Sequence, residues 1–348
     1  MKKRVLFLYT ELAEYFMACV EELSNHVEEI HIVRWPVNEE APFQFRQIDG
    51  VKIYDKPDFD RNALLKLSEE ITPDVIVCSG WVDKDYLAVC EMFYGKCPTV
   101  LTLDNWWQNS LKQRLLVRFA KWKFKSVFSD AWIPGQPQKS FAQKLGFDDA
   151  HISEGFYCAD TTAFQKAFEL SADQKSADYP HRILYLGRYL PFKGIYEMWE
   201  AFSRWKIETE NDWELWCVGT GDDWEKRPEQ EGIKHFGFLQ PAELLKILPK
   251  VGAFVLPSHR EPWGVAVHEM AAAGLPLLCS GKIGAATAFL EEAKNGFSFQ
   301  SGSSESILKA FDRLGNLSDE ELLAMGKHSN QLSQKITPKK WSETVLRF

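Results

Sequence analysis

Short, uninterrupted apolar runs alternate with helical patterns along most of this chain, and that alternation limits its possible folds more than any other feature. Lys3 to Tyr9 (KRVLFLY), Asp74 to Cys78 (DVIVC), Arg182 to Leu186 (RILYL), Trp213 to Val218 (WELWCV) and Ala253 to Leu256 (AFVL) are apolar at nearly consecutive positions. A strand wetted on one face would alternate apolar and polar residues. These runs call instead for burial on both faces, as in a parallel sheet covered by helices. Further strands are expected at Glu29 to Val33, Pro98 to Leu103, Ala131 to Ile133 and Pro276 to Cys279. Helical periodicity lies between the runs, at Ala13 to Leu23, Asn62 to Glu70, Gly194 to Trp205, Ala242 to Leu248 and Val265 to Ala273. The pattern predicts an α/β chain of two halves, each a doubly wound parallel sheet. With 348 residues the chain is long enough for two such cores. The polar tract Ser171 to Asp178 (SADQKSAD) reads as a surface loop or linker, placing the boundary between residues 155 and 180.

Charge and cysteine usage exclude several classes. The net charge of −8 argues against nucleic acid as the main partner, since phosphate binding needs a basic footprint. The seven cysteines are odd in number and lack CxxC spacing, so they read as reduced structural thiols, with no zinc site expected. The apolar run after Lys2-Lys3-Arg4 is broken at Thr10 and Glu11, too short for a signal-peptide core, so a cytoplasmic protein is expected. Neither half carries GxGxxG or a P-loop after its first strand, which removes most of the case for dinucleotide or ATPase chemistry.

The residues that carry chemistry gather in three segments of the second half, each following a strand. Gly187-Arg188 to Lys193-Gly194 sets two cations five residues apart, a spacing that suits a diphosphate as well as a solvated surface pair. Val218-Gly219-Thr220-Gly221 reads as a tight turn or as room for a ligand near the backbone. In Ser258 to Gly274 (SHREPWGVAVHEMAAAG), Glu261 precedes a helix start near Gly264-Val265 and Glu269 lies inside that helix. A helix N-terminus flanked by two carboxylates suits a phosphate with hydroxyls on either side.

In this order the segments match G-R-x4-K-G, then V-G-x-G, then Phe236-Gly237-Phe238, then E-P-x-G-x4-E. Together with Asp160-Thr161-Thr162-Ala163-Phe164, they resemble the donor half of retaining glycosyltransferases of family 4, over about residues 150 to 300. The resemblance implies the GT-B arrangement: two Rossmann-like doubly wound domains facing a cleft, with a C-terminal helix crossing back to the first. The implied acceptor-binding domain covers residues 1–160 plus 336–348, and the nucleotide-sugar donor domain covers 161–335. It further implies that Arg188 and Lys193 neutralise the donor diphosphate. Glu269 would accept hydrogens from the ribose hydroxyls and Glu261 would bind the transferred sugar. Backbone around Trp263, Gly264 and Val265 would hold phosphate or sugar, and Phe238 would border the base. Gly187, Gly219 and Gly221 would leave room for the donor. No cofactor and no metal are expected; the donor is a UDP- or GDP-linked substrate, and the acceptor is a glycan or lipid-linked glycan of a bacterial surface polysaccharide.

The first half departs from that pattern. It has no glycine pair after Tyr9, and Thr102-Leu103-Asp104-Asn105 stands where many members have a histidine. Asp104, and Asp83 in Gly80-Trp81-Val82-Asp83, are candidate acids, with helix capping the competing role. Asp58-Phe59-Asp60 and Asp83-Lys84-Asp85 match DxD formally, a pattern short enough to arise by chance. Leu111 to Ser126 holds six basic residues and no acid. Arg114, Arg118, Lys121 and Lys125 form one stripe of a helix there, beside Leu111, Leu115, Phe119 and Trp122. Such a helix either rests on an anionic membrane or turns its apolar stripe to the sheet and its cations to water. Two other functions compete: a sugar-nucleotide epimerase or phosphorylase on the same scaffold, and a non-catalytic nucleotide-sugar-binding partner.

Overall fold

The computed structural model describes residues 2–37 and 45–348. They form two compact units, Met1–Cys158 with Ile336–Phe348, and Ala159–Lys335. The first unit runs β1 (Arg4–Tyr9), α1 (Glu14–Ser24), β2 (Glu29–Arg34), β3 (Val51–Asp55), α2 (Arg61–Ile71), β4 (Val75–Ser79), α3 (Lys84–Phe93), β5 (Thr99–Thr102), α4 (Leu111–Phe124), β6 (Asp130–Ile133), α5 (Gln136–Leu145) and β7 (Ile152–Glu154). The second runs α6 (Thr161–Ala177), β8 (Arg182–Leu186), α7 (Ile195–Thr209), β9 (Glu214–Val218), β10 (Ile233–Gly237), α8 (Pro241–Ile247), β11 (Ala253–Leu256), α9 (Val265–Ala272), β12 (Leu277–Ser280), α10 (Ala286–Phe289), β13 (Gly296–Phe299), α11 (Ser304–Gly315) and α12 (Asp319–Ser333). The chain then returns to the first unit as α13 (Pro338–Arg347).

Every strand pairing is parallel, in the orders β3-β2-β1-β4-β5-β6-β7 and β10-β9-β8-β11-β12-β13. The apolar runs behave as their composition requires. In β1, Val5 and Phe7 join a core with α1 and α13, whereas Leu6 and Leu8 join a second core with α2, α3 and α5 on the other face. Alternate side chains of one strand thus serve two cores, which is why β1 has no polar position between Val5 and Tyr9.

The tract Ser171 to Asp178 is not a linker. It is the last part of α6, and Ser171 and Lys175, one turn apart, are both buried. The polar composition misled because packing against α9 and α12 outweighs propensity. Burial lowers the Lys175 amine to about 8. All seven cysteines are free, six of them buried.

The fixing point of α13 is Trp341. Its ring lies 5.8 Å from Phe7, 5.5 Å from Phe16 and 4.9 Å from Trp132, and its Nε1–H donates to the Phe156 carbonyl at 2.8 Å. Trp341→Ala removes a fully buried ring and orphans that carbonyl. It is expected to destabilise the first unit by about 3–5 kcal/mol, read by urea unfolding followed by circular dichroism.

Candidate active site

The strand order of the second unit reverses between β8 and β11, with β9 on one side of β8 and β12 on the far side of β11. Loops leaving such a pair diverge, and ligands of open α/β sheets sit there. The β8 loop carries Gly187, Arg188 and Lys193; the β11 loop carries Ser258, Glu261, Trp263 and Gly264.

The β8 loop is fixed by its own backbone. The Gly187 N–H donates to the Val218 carbonyl at 3.0 Å and the Tyr189 N–H to that of Thr220 at 2.8 Å. The Tyr185 hydroxyl donates to the Arg188 carbonyl at 2.8 Å, while the Arg188 side chain is exposed. These contacts explain Gly219 and Gly221. A Cβ on Gly219 would lie 2.0 Å from the Gly187 oxygen, and one on Gly221 would lie 2.7 Å from the Tyr189 oxygen. The close approach that both glycines permit here is that of the chain's own β8 loop.

Lys193 and Glu261 form an ion pair across the two loops, Nζ on Oε2, both side chains largely buried. The Ser258 hydroxyl donates to the same Oε2 at 3.2 Å, and Ser280 Oγ donates to the Ser258 carbonyl at 2.5 Å. The backbone of Glu261 bridges to Lys282 and Gly284, its N–H donating at 3.0 Å and its carbonyl accepting at 3.1 Å. His259 Nε2 meets Glu197 of α7 at 2.9 Å, tying the β11 loop to the helix that follows Lys193. Ser258, Ser280 and the Glu197–His259 contact carry no sequence signal; only the folded loops bring them together.

Gly264 is the N-cap of α9 at φ +91°, and a Cβ on it would lie 2.9 Å from Cγ of Glu261. Glycine therefore both opens this helix and lets Glu261 lie against it. No side chain caps α9, which leaves the backbone around Val265 for an anion. Trp263 is buried beside Phe289, and its Nε1–H has no partner among the described residues. Phe238 lies one residue past β10, half-buried.

Glu269 projects from the second turn of α9. It is half-buried, its carboxyl has no hydrogen-bond partner among the described residues, and burial, aided by the charge of Asp160, pushes that carboxyl up to about 7. Asp160 itself caps α6, accepting from the Ala163 N–H at 3.0 Å. The preceding residue, His268, anchors α9. Its Nδ1 accepts from the Ala159 N–H at 3.1 Å, its Nε2–H donates to the Ser333 carbonyl at 2.9 Å, and its ring stacks on Phe289 at 4.1 Å. A histidine in an apolar helix has no sequence signature that separates an anchor from a spacer, so this role of His268 is visible only in the fold.

In the first unit, Asp83 is the cap of α3. Its Oδ1 accepts from the N–H groups of Asp85 and Tyr86 at 2.8 and 3.1 Å, and its Oδ2 accepts from Trp35 Nε1 at 2.9 Å. Both oxygens are engaged, and of the two roles open to Asp83 the capping one is seen here. Asp85 pairs with Lys56 and Arg61, each at 3.0 Å, and Asp60 caps α2. Asp104 follows β5, half-buried, and accepts from the Tyr157 hydroxyl at 3.3 Å and from Asn105 at 3.2 Å. Its charge lies close enough to Tyr9 and Tyr157 to help burial hold both phenols well above their usual range.

Comparison with known proteins bears on the fold and on the second unit. Residues 167–333 match the family described as "Glycosyl transferases group 1". A stretch of 108 residues is 36% identical to a glycogen synthase of Mycobacterium tuberculosis, covering 29% of this chain and 26% of that protein. The matched stretch thus spans about a quarter of the length of that curated relative. Among solved structures, the Anabaena protein HepE in complex with UDP and glucose superposes with a TM-score of 0.72 at 15% identity, over 99% of this chain and 98% of that one. The sucrose-phosphate synthase of Thermosynechococcus elongatus gives 0.71 at 15% identity, again over 99% and 98%. These likenesses establish the fold, two Rossmann-like α/β units of the GT-B type.

The Lys193–Glu261 pair makes a direct test of how the loops are held. Removing either partner strands a largely buried charge, so Lys193→Ala and Glu261→Ala each destabilise, whereas the double variant loses less than the sum. The expected coupling is about 1–3 kcal/mol in a double-mutant cycle read by thermal unfolding.

Proposed function

We propose that this chain, whose residues 167–333 match the group 1 glycosyl transferases, moves a hexose-type sugar from a nucleotide-diphosphate sugar to a glycan or lipid-linked glycan acceptor, with retention of anomeric configuration. The observation that carries this reading is the convergence at the β8/β11 reversal. A cation–carboxylate pair, an uncapped helix N-terminus and an unpartnered carboxyl meet where a nucleotide sugar needs a diphosphate site between two hydroxyl sites.

Arg188 and Lys193 take the donor diphosphate, whose negative charge grows as the sugar–oxygen bond breaks; such stabilisation is usually the largest catalytic contribution. Glu261, released in part from Lys193 by that exchange, accepts from hydroxyls of the sugar. Glu269 accepts from the ribose hydroxyls. The acceptor hydroxyl attacks the anomeric carbon on the face from which the diphosphate departs, and its proton passes to the leaving phosphate oxygen. Acceptor recognition falls to the first unit, where Asp104 is the remaining acidic candidate. The complex of HepE with UDP and glucose makes a UDP-sugar the first donor to try. A role in bacterial surface polysaccharide synthesis and a cytoplasmic setting fit the seven free cysteines and the family resemblance.

A thermal-shift screen against UDP-, GDP- and ADP-sugars tests the donor site, since a ligand at a hundredfold excess over its Kd adds about 2.7 kcal/mol of stability. One nucleotide class should stabilise the wild type and not Glu269→Ala; no stabilisation by any class would overturn the reading. The pH dependence follows from the raised carboxyl. Hydroxyl hydrogens need the ionised form, so affinity rises with pH through about 7. Between pH 6 and pH 8 the gain is about tenfold, and it vanishes in Glu269→Gln.

Because cationic side chains meet the diphosphate, the reaction runs without a metal. Sugar transfer measured in EDTA should match the untreated rate, and a strict requirement for a divalent ion would contradict the assignment of Arg188 and Lys193.

A further inference from the structure

The helix α4 has two apolar faces, and only one of them packs on the protein. Ala120 and Phe124 are buried, with Leu116 and Val117 half-buried beside them. On roughly the opposite side, at about 100° per residue, stand Leu111, Leu115, Phe119 and Trp122. They are 77, 61, 70 and 85% exposed. Of the two placements open from the sequence, the sheet therefore does not take this stripe; the packed face is the other one.

The borders of the exposed stripe are basic on both sides. Arg114, Arg118, Lys121 and Lys125 run along one edge, Lys112 and Lys123 along the other, and α4 contains no acid. Arg114 donates to Asn109 at 2.9 Å, and none of the six cations has a carboxylate in ion-pair range among the described residues. Elsewhere cations of this chain, whose net charge is −8, are commonly paired with acids, as in Arg34–Asp55, Arg182–Glu214 and Arg313–Glu292.

We propose that the outward face of α4 docks the protein on an anionic lipid bilayer. Four large side chains, one of them a tryptophan, enter the headgroup boundary. Cations on both flanks reach anionic headgroups while their methylene stems lie along the apolar surface. A protein partner would be expected to oppose the cations with carboxylates in fixed places, whereas a bilayer offers diffuse negative charge over the whole length of the helix. No helix among the described residues is long and apolar enough to cross a membrane, so the contact is peripheral. That the bilayer delivers a lipid-linked acceptor rests on the transferase reading; the docking itself does not.

Flotation with vesicles of phosphatidylcholine, with and without phosphatidylglycerol, tests the proposal on the full chain. The wild type should float with the anionic vesicles at low salt and stay behind with the neutral ones. The pairs Phe119→Ser/Trp122→Ser and Arg118→Glu/Lys121→Glu should each cut the bound fraction at least about tenfold. Both pairs lie on solvent, so circular dichroism and the melting midpoint should match the wild type, and the donor thermal shift should be unchanged. Failure of the donor shift alone would sink the transferase reading and leave the docking standing. No flotation of the wild type with anionic vesicles, or equal flotation of the variants, overturns the proposal. A wild-type dimer that Phe119→Ser/Trp122→Ser dissociates, without vesicle binding, overturns it in favour of a second copy of the chain.

Discussion

The chemistry of the second unit depends on one constraint, the reversal of strand order between β8 and β11. A parallel sheet needs a crossover for every strand, and the two halves of the sheet grow outward from this pair. The loops after β8 and β11 are consequently brought alongside each other but never joined by a helix. Lys193 arrives from one and Glu261 from the other, and their pairing joins the loops directly, beside the His259 N–H that donates to the Phe192 carbonyl at 2.8 Å. The first unit repeats the reversal between β1 and β4, where the hydroxyls of Thr10 and Ser79 meet at 3.0 Å. The same topology thus serves a charged site in one unit and a neutral contact in the other, which shows that the fold supplies the location and the side chains supply the chemistry.

Two carboxylates eight positions apart end in opposite environments, and the helix between them is the reason. Glu261 precedes α9 and leans on Gly264, where a cation and a serine hydroxyl reach it. Glu269 lies in the second turn with neither, and burial together with Asp160 favours its protonated form. One carboxylate is therefore compensated before any ligand arrives, whereas the other waits for donors. In the proposed donor site, a ligand that brings a diphosphate and hydroxyls together would satisfy both, the phosphate competing for Lys193 while the hydroxyls reach the carboxylates. His268 holds this geometry from behind, fastening α9 to Ala159 and Ser333 through the two nitrogens of one ring.

Much of this was legible in the sequence, and what was not has physical causes. Apolar runs such as RILYL and AFVL demand burial on both faces, so the parallel sheets could be read directly. The edge strands β3, β7, β10 and β13 could not. β3 and β10 are interrupted by exposed polar residues, and β7 and β13 have three and four residues, so none carries a long continuous apolar signal. The end of α6 looked like a loop because SADQKSA is polar; its helical state comes from the buried Ser171 and Lys175, and nothing local announces a buried lysine. The placement of Arg188, Lys193 and Glu261 after strands and of Glu269 inside a helix was legible, because the apolar runs fix those elements. Glycines were harder to read. Gly219 and Gly221 stand in loops that approach a site, but a glycine does not say which backbone it admits, and here it is that of Gly187 and Tyr189.

The helix α4 sets the limit of such reading most sharply. Its wheel holds two apolar arcs, and periodicity alone does not say whether the sheet takes the one with Leu111, Leu115, Phe119 and Trp122. The fold chooses the other. Phe124 lies 5.5 Å from Trp81 and 5.4 Å from Phe128, inside a core that also takes Ala120, and that neighbourhood is specified by residues far away in the chain. Once the sheet has taken the smaller arc, the larger one gains nothing from folding. Four exposed apolar side chains bordered by unpaired cations have no structural role to explain them. A surface that the fold leaves apolar and basic together, in a chain that is acidic overall, has the chemistry of a phase boundary rather than of water.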